Sequence, residues 1–140
     1  MDLLALRIAG LWAAWLLVML FHVQLGLMPL FHGCSVEIKT QVSADRLPRL
    51  FMAMFVYFTI PVFAMLLAFH AASESFGWAA ASGWRAAQFW LSAAYSLTNI
   101  GHLIADIRIP DSRLDQVLLM FVLTIIGLLL SWEAWSWWIS

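Results

Sequence analysis

The chain has 140 residues, of which 64% are hydrophobic and only 11% are charged, and its formal net charge is −1. Soluble domains carry about 25% charged residues, so this composition excludes an ordinary soluble enzyme and predicts an integral membrane protein. The near-neutral charge and the lack of a basic cluster give no indication of nucleic-acid binding. A single cysteine, Cys34, excludes an intramolecular disulfide and any zinc or iron–sulfur centre built from several cysteines.

Four apolar runs follow one another along the chain, at about residues 8–31, 50–72, 86–105 and 117–138. Each is long enough for a helix that crosses a hydrocarbon core of roughly 30 Å, which requires about 20 residues. The connections between them are short. We therefore predict one all-α domain over residues 1–140, a bundle of four transmembrane helices, in which any chemistry must come from the helices and their junctions.

The cations predict the orientation of this bundle, because Lys and Arg in short loops are retained on the cytoplasmic side. Most of them flank the junctions after the first and third spans, whereas the other side holds only Arg7 and Arg85. Both termini are accordingly predicted outside, and we expect the protein in a bacterial inner (cytoplasmic) membrane. The cations of the predicted inner side are Lys39, Arg46, Arg49, Arg108 and Arg113.

The nine tryptophans all fall at or near the predicted outer side. Indole rings favour the headgroup layer, where the ring lies in lipid and the N–H points to water, so the pattern predicts an interfacial aromatic belt. Tryptophans are especially dense in the C-terminal segment SWEAWSWW. This density also permits a second interpretation, in which the tryptophans form a docking surface for a partner subunit.

Two prolines, Pro29 and Pro61, fall inside the first and second spans. A proline lacks the N–H that would bond the carbonyl four residues earlier, so such sites are tolerated in a membrane when neighbouring groups satisfy that carbonyl. Gly33, just after the first span, is predicted to end its helix.

The third span contains the segment YSLTNIGHLIAD, residues 95–106, which is unusually polar for a membrane helix. Its polar residues recur every three or four positions and therefore share one face of a helix at about 100° per residue. A face of this kind must point to the bundle interior or a wet cavity, because unpaired polar groups in lipid cost several kcal/mol each. The same spacing continues back toward the start of the span. The residues of this polar stripe are Gln88, Ser92, Tyr95, Asn99, His102 and Asp106.

Counting along the first and third spans, which run in the same direction, places His22 and His102 at similar depth in the inner half of the membrane. Asp106 lies one turn beyond His102, and Tyr57 of the second span reaches the same level. We predict a cofactor site of His22, His102, Asp106, Asn99 and Tyr57. His32 and Glu37 lie near the inner surface, so a metal site is predicted from the set His22, His32, His102, Asp106 and Glu37.

Three functions fit this cluster. The leading interpretation is binding of a haem, a chlorin or a transition metal through the intramembrane histidines, in a redox or pigment context, because four-helix bundles build such sites from inward-facing side chains. The second is a non-catalytic accessory subunit of a larger membrane complex, or a homo-oligomer. The third is an enzyme that modifies a lipid or isoprenoid at the inner leaflet with His102 and Asp106 as an acid–base pair. A transporter is less favoured, because no inverted repeat is visible.

Overall fold

The computed structural model describes residues 1–34, 43–73, 77–108 and 112–140, apart from the side chain of Ala80. Within these ranges the fold is all-helical, without strands, which confirms the predicted class. The four long helices are α1 (Leu3–Phe31), α2 (Leu47–Ala72), α3 (Ser82–Arg108) and α4 (Leu114–Ile139), and a turn of 3₁₀ helix, Gly77–Ala80, precedes α3. Each long helix begins about a turn before the predicted span, and α1 and α2 end at the predicted residues.

Three of the helices, α1, α2 and α4, are long and apolar enough to cross a membrane. The helix α3 has 27 residues but is the most polar of the four. Its hydropathy is lowered by the polar stripe predicted from the sequence, and four members of that stripe are buried against the other helices, namely Gln88, Ser92, Tyr95 and Asn99. The interior orientation predicted for this part of the stripe is therefore confirmed.

Both ends of α1 follow directly from the local sequence. The carboxylate of Asp2 caps the start, accepting from the backbone N–H groups of Leu4 at 3.0 Å and Ala5 at 3.3 Å. At the other end Gly33 adopts φ of +69°, as predicted for a helix stop, and the N–H of Cys34 bonds the carbonyl of Pro29 at 3.0 Å. This is a Schellman-type ending, which favours glycine because the left-handed conformation clashes with a Cβ.

Hydrogen bonds at one end of the bundle define an up-and-down arrangement. The N–H of Asp2 donates to the carbonyl of Ala72 at 3.2 Å, and the indole of Trp137 donates to the Asp2 carboxylate at 2.6 Å. The guanidinium of Arg85 donates to the carbonyl of Trp137 at 3.3 Å and lies over its ring. The starts of α1 and α3 therefore meet the ends of α2 and α4, so successive helices are antiparallel.

The helices do not surround the core evenly. Close backbone packing joins α1 with α2, α1 with α4, and α3 with α4. Across the part of the chain that the structure describes, α2 and α3 lack such packing and are joined by long side chains instead. The amide of Gln88 donates to the carbonyl of Ala64 at 2.7 Å, and the hydroxyls of Tyr57 and Thr98 lie 2.9 Å apart.

The tryptophans divide between the interior and the surface, which corrects the prediction that all nine form one outer belt. Trp12, Trp15 and Trp137 are 0% exposed. The buried ring of Trp12 has a partner for its N–H, the amide oxygen of Gln88 at 2.9 Å. Trp15 is buried although its N–H has no acceptor among the described residues. Indole is large and apolar enough to fill a core, so a position near a membrane surface does not specify the belt. The tryptophans with more than a third of their surface exposed are Trp78, Trp90, Trp132 and Trp135.

Both prolines inside helices leave a carbonyl that another helix satisfies. Pro61 cannot bond the carbonyl of Tyr57, and the hydroxyl of Tyr95 on α3 donates to that oxygen at 2.6 Å. Pro29 cannot bond the carbonyl of Leu25, and the guanidinium of Arg113 at the start of α4 donates to it at 3.0 Å. The condition for tolerating proline in these helices is thereby met at both sites.

Small side chains bring α3 and α4 close together near the middle of the bundle. A Cβ added to Gly127 would lie 2.9 Å from the hydroxyl of Ser96 and 3.0 Å from the amide nitrogen of Asn99. The hydroxyls of Ser96 and Ser131 lie 3.0 Å apart. Small residues that allow close approach are the usual means of helix association in membranes, where lipid chains are as apolar as leucine.

Candidate functional site

The two histidines that the sequence placed at the same depth meet in the structure. The rings of His22 on α1 and His102 on α3 pack edge to face, with centroids 5.2 Å apart and planes at 87°. The contact lies at the end of the bundle remote from the two chain termini, since it is in the second half of both helices.

Asp106 joins this pair from the next turn of α3. Its Oδ1 lies 3.6 Å from Nε2 of His102, and the side chains of His102 and Asp106 are 48% and 14% exposed. One ligand atom from each of His22, His102 and Asp106 lies within 4.8 Å of the others. The second carboxylate oxygen of Asp106 is buried and has no hydrogen-bond partner among the described residues. We refer to these three side chains as the histidine cluster.

One separation in the histidine cluster suits two ligands of a single metal ion. Two donor atoms bound to an ion at about 2.1 Å and a tetrahedral angle stand ~3.4 Å apart. The 3.6 Å separation of the His102 and Asp106 atoms is close to that value. A macrocycle held between His22 and His102 is less favoured, because rings in edge-to-face contact at 5.2 Å leave no gap for a porphyrin or chlorin plane.

Gln116, in the first turn of α4, holds the other side of His22. With its amide nitrogen toward His22, it lies 2.9 Å from Nδ1 and 3.1 Å from the carbonyl of His22, and its oxygen lies 3.1 Å from the N–H of Gly26. The opposite orientation would set the amide oxygen against a carbonyl oxygen, which cannot donate. The amide therefore donates to Nδ1, and the proton of a neutral His22 ring lies on Nε2.

This hydrogen bond has a consequence for metal binding. The nitrogen of His22 that remains for an ion is Nε2, and an imidazole that binds through Nε2 carries its proton on Nδ1. Binding would thus require the proton to change nitrogens and the Gln116 amide to turn its oxygen toward Nδ1. Gln116 is consequently the neighbour that governs how readily His22 can become a ligand.

Two further predicted site residues lie beside the histidine cluster. Tyr57 of α2 reaches the hydroxyl of Thr98 at 2.9 Å. Asn99 is 1% exposed, and its amide nitrogen is 3.5 Å from the carbonyl of Leu123. The amide oxygen of Asn99 has no hydrogen-bond partner within the described ranges.

Of the two remaining predicted metal ligands, the structure describes only His32, which lies apart from the histidine cluster. His32 is the exposed C-terminal cap of α1 and does not belong to the group of ligand atoms. Glu37 lies outside the described residues. Among the described residues, the candidate metal site consists of His22, His102 and Asp106.

A pocket of about 510 Å³ opens next to the two imidazoles, in the region where α2 and α3 are not closely packed. Its lining is mostly apolar, with a group of polar side chains that includes both histidines. Small-molecule sites commonly have this size and composition, with a few polar groups in an apolar wall. The pocket is lined by Met19, His22, Val23, Gly26, Leu27, Met54, Tyr57, Phe58, Thr98, Asn99, His102 and Gln116.

Gln116 is the site residue that the sequence analysis missed. It directly precedes the fourth predicted span, which begins at about residue 117, and therefore falls outside the spans from which the site was predicted. Depth is the signal that identifies it, because α4 runs opposite to α1 and its first turn lies at the level of the last turns of α1. The same count that paired His22 with His102 would have included it.

No protein family, curated protein or solved structure matches this chain. The functional argument accordingly rests on the arrangement of the side chains themselves.

Proposed function

We propose that the protein binds a transition metal ion through His22, His102 and Asp106 in the inner half of a membrane. The observation that supports this function is the convergence of three ligand-type side chains from two helices to within 4.8 Å. Ionisable groups are rarely retained inside a membrane without a function, and two imidazoles with one carboxylate form a donor set that suits zinc, iron, manganese and related ions.

The three side chains leave part of the coordination shell of such an ion open. Catalytic metal sites typically have three protein ligands and a further position for water or substrate, whereas structural sites are closed. The open position of this site would face the pocket, because His22 and His102 belong to both. An ion bound there supplies Lewis acidity or a redox centre to whatever occupies the pocket.

Membrane placement is part of the proposal. We take α3 as the fourth span, since its 27 residues extend about 40 Å at roughly 1.5 Å per residue, and its buried polar face packs against helices apolar enough to span. With both termini outside, as the cations indicate, the histidine cluster lies toward the cytoplasmic face of a bacterial inner membrane.

The acid–base interpretation has less support. A carboxylate that orients a catalytic imidazole is expected within hydrogen-bond reach, about 2.6–3.2 Å. The His102 and Asp106 atoms are 3.6 Å apart, a spacing that suits two ligands of one ion better than a donor and its acceptor.

The test is a metal titration of the purified full-length protein after chelator treatment. Cobalt(II) serves as a spectroscopic probe, zinc as a competitor, and elemental analysis measures the stoichiometry. We expect one ion per chain, and a loss of affinity of at least about tenfold in His22→Ala, His102→Ala and Asp106→Asn.

His32→Ala is the matched control, because His32 is exposed and lies apart from the histidine cluster. It should bind the ion as the unmodified protein does. Equal binding by all four variants, or none by the unmodified protein, would refute the proposed function.

A further inference from the structure

The pocket beside the histidine cluster combines two kinds of wall. Residues of α1 and α2 supply an apolar wall that includes Val23, Leu27 and Met54. The opposite wall presents hydrogen-bonding groups, among them Asn99 and Gln116. A ligand that matches both must be amphiphilic, with one polar group and an apolar body.

The apolar wall also forms the mouth of the pocket. Val23, Leu27 and Met54 are 40%, 45% and 43% exposed, so they line the cavity and also reach the surface of the bundle. In a helix bundle that lies in a bilayer, this surface contacts lipid chains. Entry is therefore from the hydrocarbon phase, and the ligand is a molecule dissolved in the membrane.

The polar wall indicates the kind of head group. Asn99 is 1% exposed and lines the pocket, yet its amide oxygen has no partner among the described residues. Buried acceptors are normally satisfied, so an unpartnered one beside a cavity indicates a donor on the ligand. His22 offers an Nε2–H in the tautomer that Gln116 selects, which requires an acceptor. A hydroxyl supplies both functions in one group.

We propose that this pocket binds a membrane-dissolved alcohol, with its hydroxyl against Asn99 and the His22–His102 pair and its apolar chain between Val23, Leu27 and Met54. The inference goes beyond metal binding and does not depend on it, because the two walls exist without an ion. An ion bound through Nε2 of His22 would replace the proton on that nitrogen, so the hydroxyl would then lose the bond from His22 and keep the one to Asn99.

The test is photolabelling of the full-length, chelator-treated protein in phosphatidylcholine nanodiscs. The probe is a hexadecanol that carries a diazirine within its apolar chain. We expect labelled peptides to contain Val23, Leu27 or Met54, and labelling to fall at least fivefold with excess hexadecanol. Hexadecyl methyl ether, which cannot donate a hydrogen bond, should compete poorly.

Two variants separate the pocket from the general lipid surface. Asn99→Leu removes the acceptor, and Val23→Trp fills the mouth from α1 without touching the α3–α4 contact, so the test stands even when Asn99→Leu does not fold. Both should lose the labelling. Leu20→Trp, at an exposed position of α1 outside the pocket lining, is the control and should retain it.

Several results would overturn the proposal. These are labelling spread evenly over exposed apolar positions, equal competition by the alcohol and the ether, and full labelling of Val23→Trp. Because the protein is metal-free in this experiment, such results would leave the metal titration unaffected. Failure of the metal titration would likewise leave alcohol binding standing.

Discussion

The two ends of the bundle use the same kinds of polar residue in different ways. At the end where the chain termini meet, Gln88 bonds Trp12 and Ala64, and the space between the helices is filled by indole rings. At the histidine end, Asn99 and Asp106 each keep a buried acceptor oxygen without a partner in the described structure, whereas the unpartnered atoms of Trp15 and Trp84 are indole donors. The pocket described above is lined in part by Asn99.

This difference teaches how to separate structural from functional polar groups within a membrane. Donors and acceptors that are paired across helices with no space beside them join the bundle together. Buried acceptors that are unpartnered beside a cavity leave capacity for a ligand. We call the end with the chain termini the closed end and the end with the histidine cluster and the pocket the open end. Gln88 at the closed end is therefore expected to stabilise the bundle, and Gln116 at the open end to act on ligand binding.

The largest effect on stability is expected from Gln88→Leu. The substitution leaves the buried N–H of Trp12 without its acceptor and removes the bond to the carbonyl of Ala64. We expect the free energy of unfolding to fall by about 3 kcal/mol. Denaturant titration in mild detergent would measure it. Gln116→Leu is the matched control at the open end, and an equal loss of stability there would contradict the distinction between the two ends.

A somewhat smaller loss is expected from Gly127→Ala, at the close approach between α3 and α4. The new Cβ meets the hydroxyl of Ser96 at 2.9 Å and the amide of Asn99 at 3.0 Å. Overpacking of this kind costs about 2 kcal/mol, measurable as a lower midpoint of unfolding. Gly101→Ala on α3 has no neighbour within 4 Å and should be neutral or stabilising. Similar midpoints for the two variants would show that this contact tolerates a methyl group.

At the open end, Gln116→Glu should strengthen metal binding by about tenfold. A carboxylate accepts the Nδ1–H of a ligating imidazole directly, whereas the amide donates to Nδ1 and must turn before His22 binds through Nε2. The measurement is the cobalt(II) titration proposed as the test of metal binding. Gln24→Glu, an exposed position on α1, controls for the added charge. Unchanged or weaker binding in Gln116→Glu would exclude a role for this residue in orienting His22.

The smallest effect is expected from Tyr95→Phe, which removes the hydroxyl bonded to the carbonyl of Tyr57. We expect a loss of about 1 kcal/mol. The cause can be isolated in a double-mutant cycle with Pro61→Ala, which restores the backbone N–H for that carbonyl. In the Pro61→Ala background the cost of Tyr95→Phe should be clearly smaller. Equal costs in both backgrounds would show that the hydroxyl acts elsewhere.

Periodicity and depth, read from the sequence, predicted the helices, the inward polar face of α3 and the similar depth of His22 and His102, but not the contact between their rings. These quantities depend only on helix geometry and the thickness of a bilayer, which is why they can be predicted from residue numbers. The need for a donor beside Pro61 could also be predicted, whereas its identity as Tyr95 could not, because the partner depends on how far α3 is rotated and shifted along α2.

The burial of Trp12, Trp15 and Trp137 was not predictable for a related physical reason. An indole suits both a membrane surface and a protein interior, so its sequence position does not decide between them. Gln116 was missed because a polar residue at a helix start is ordinary there. Only its approach to His22 from another helix gives it significance.

The carbonyls of Leu25 and Tyr57 lack a backbone hydrogen bond because of Pro29 and Pro61. Their bonds to other helices also disfavour alternative packings of the bundle. Apolar helices in lipid could slide along one another by a turn at little cost, since each leucine finds similar neighbours. Arg113 and Tyr95 each reach one carbonyl and would lose it after such a slip. The two prolines therefore help to fix the position of α4 along α1 and of α3 along α2.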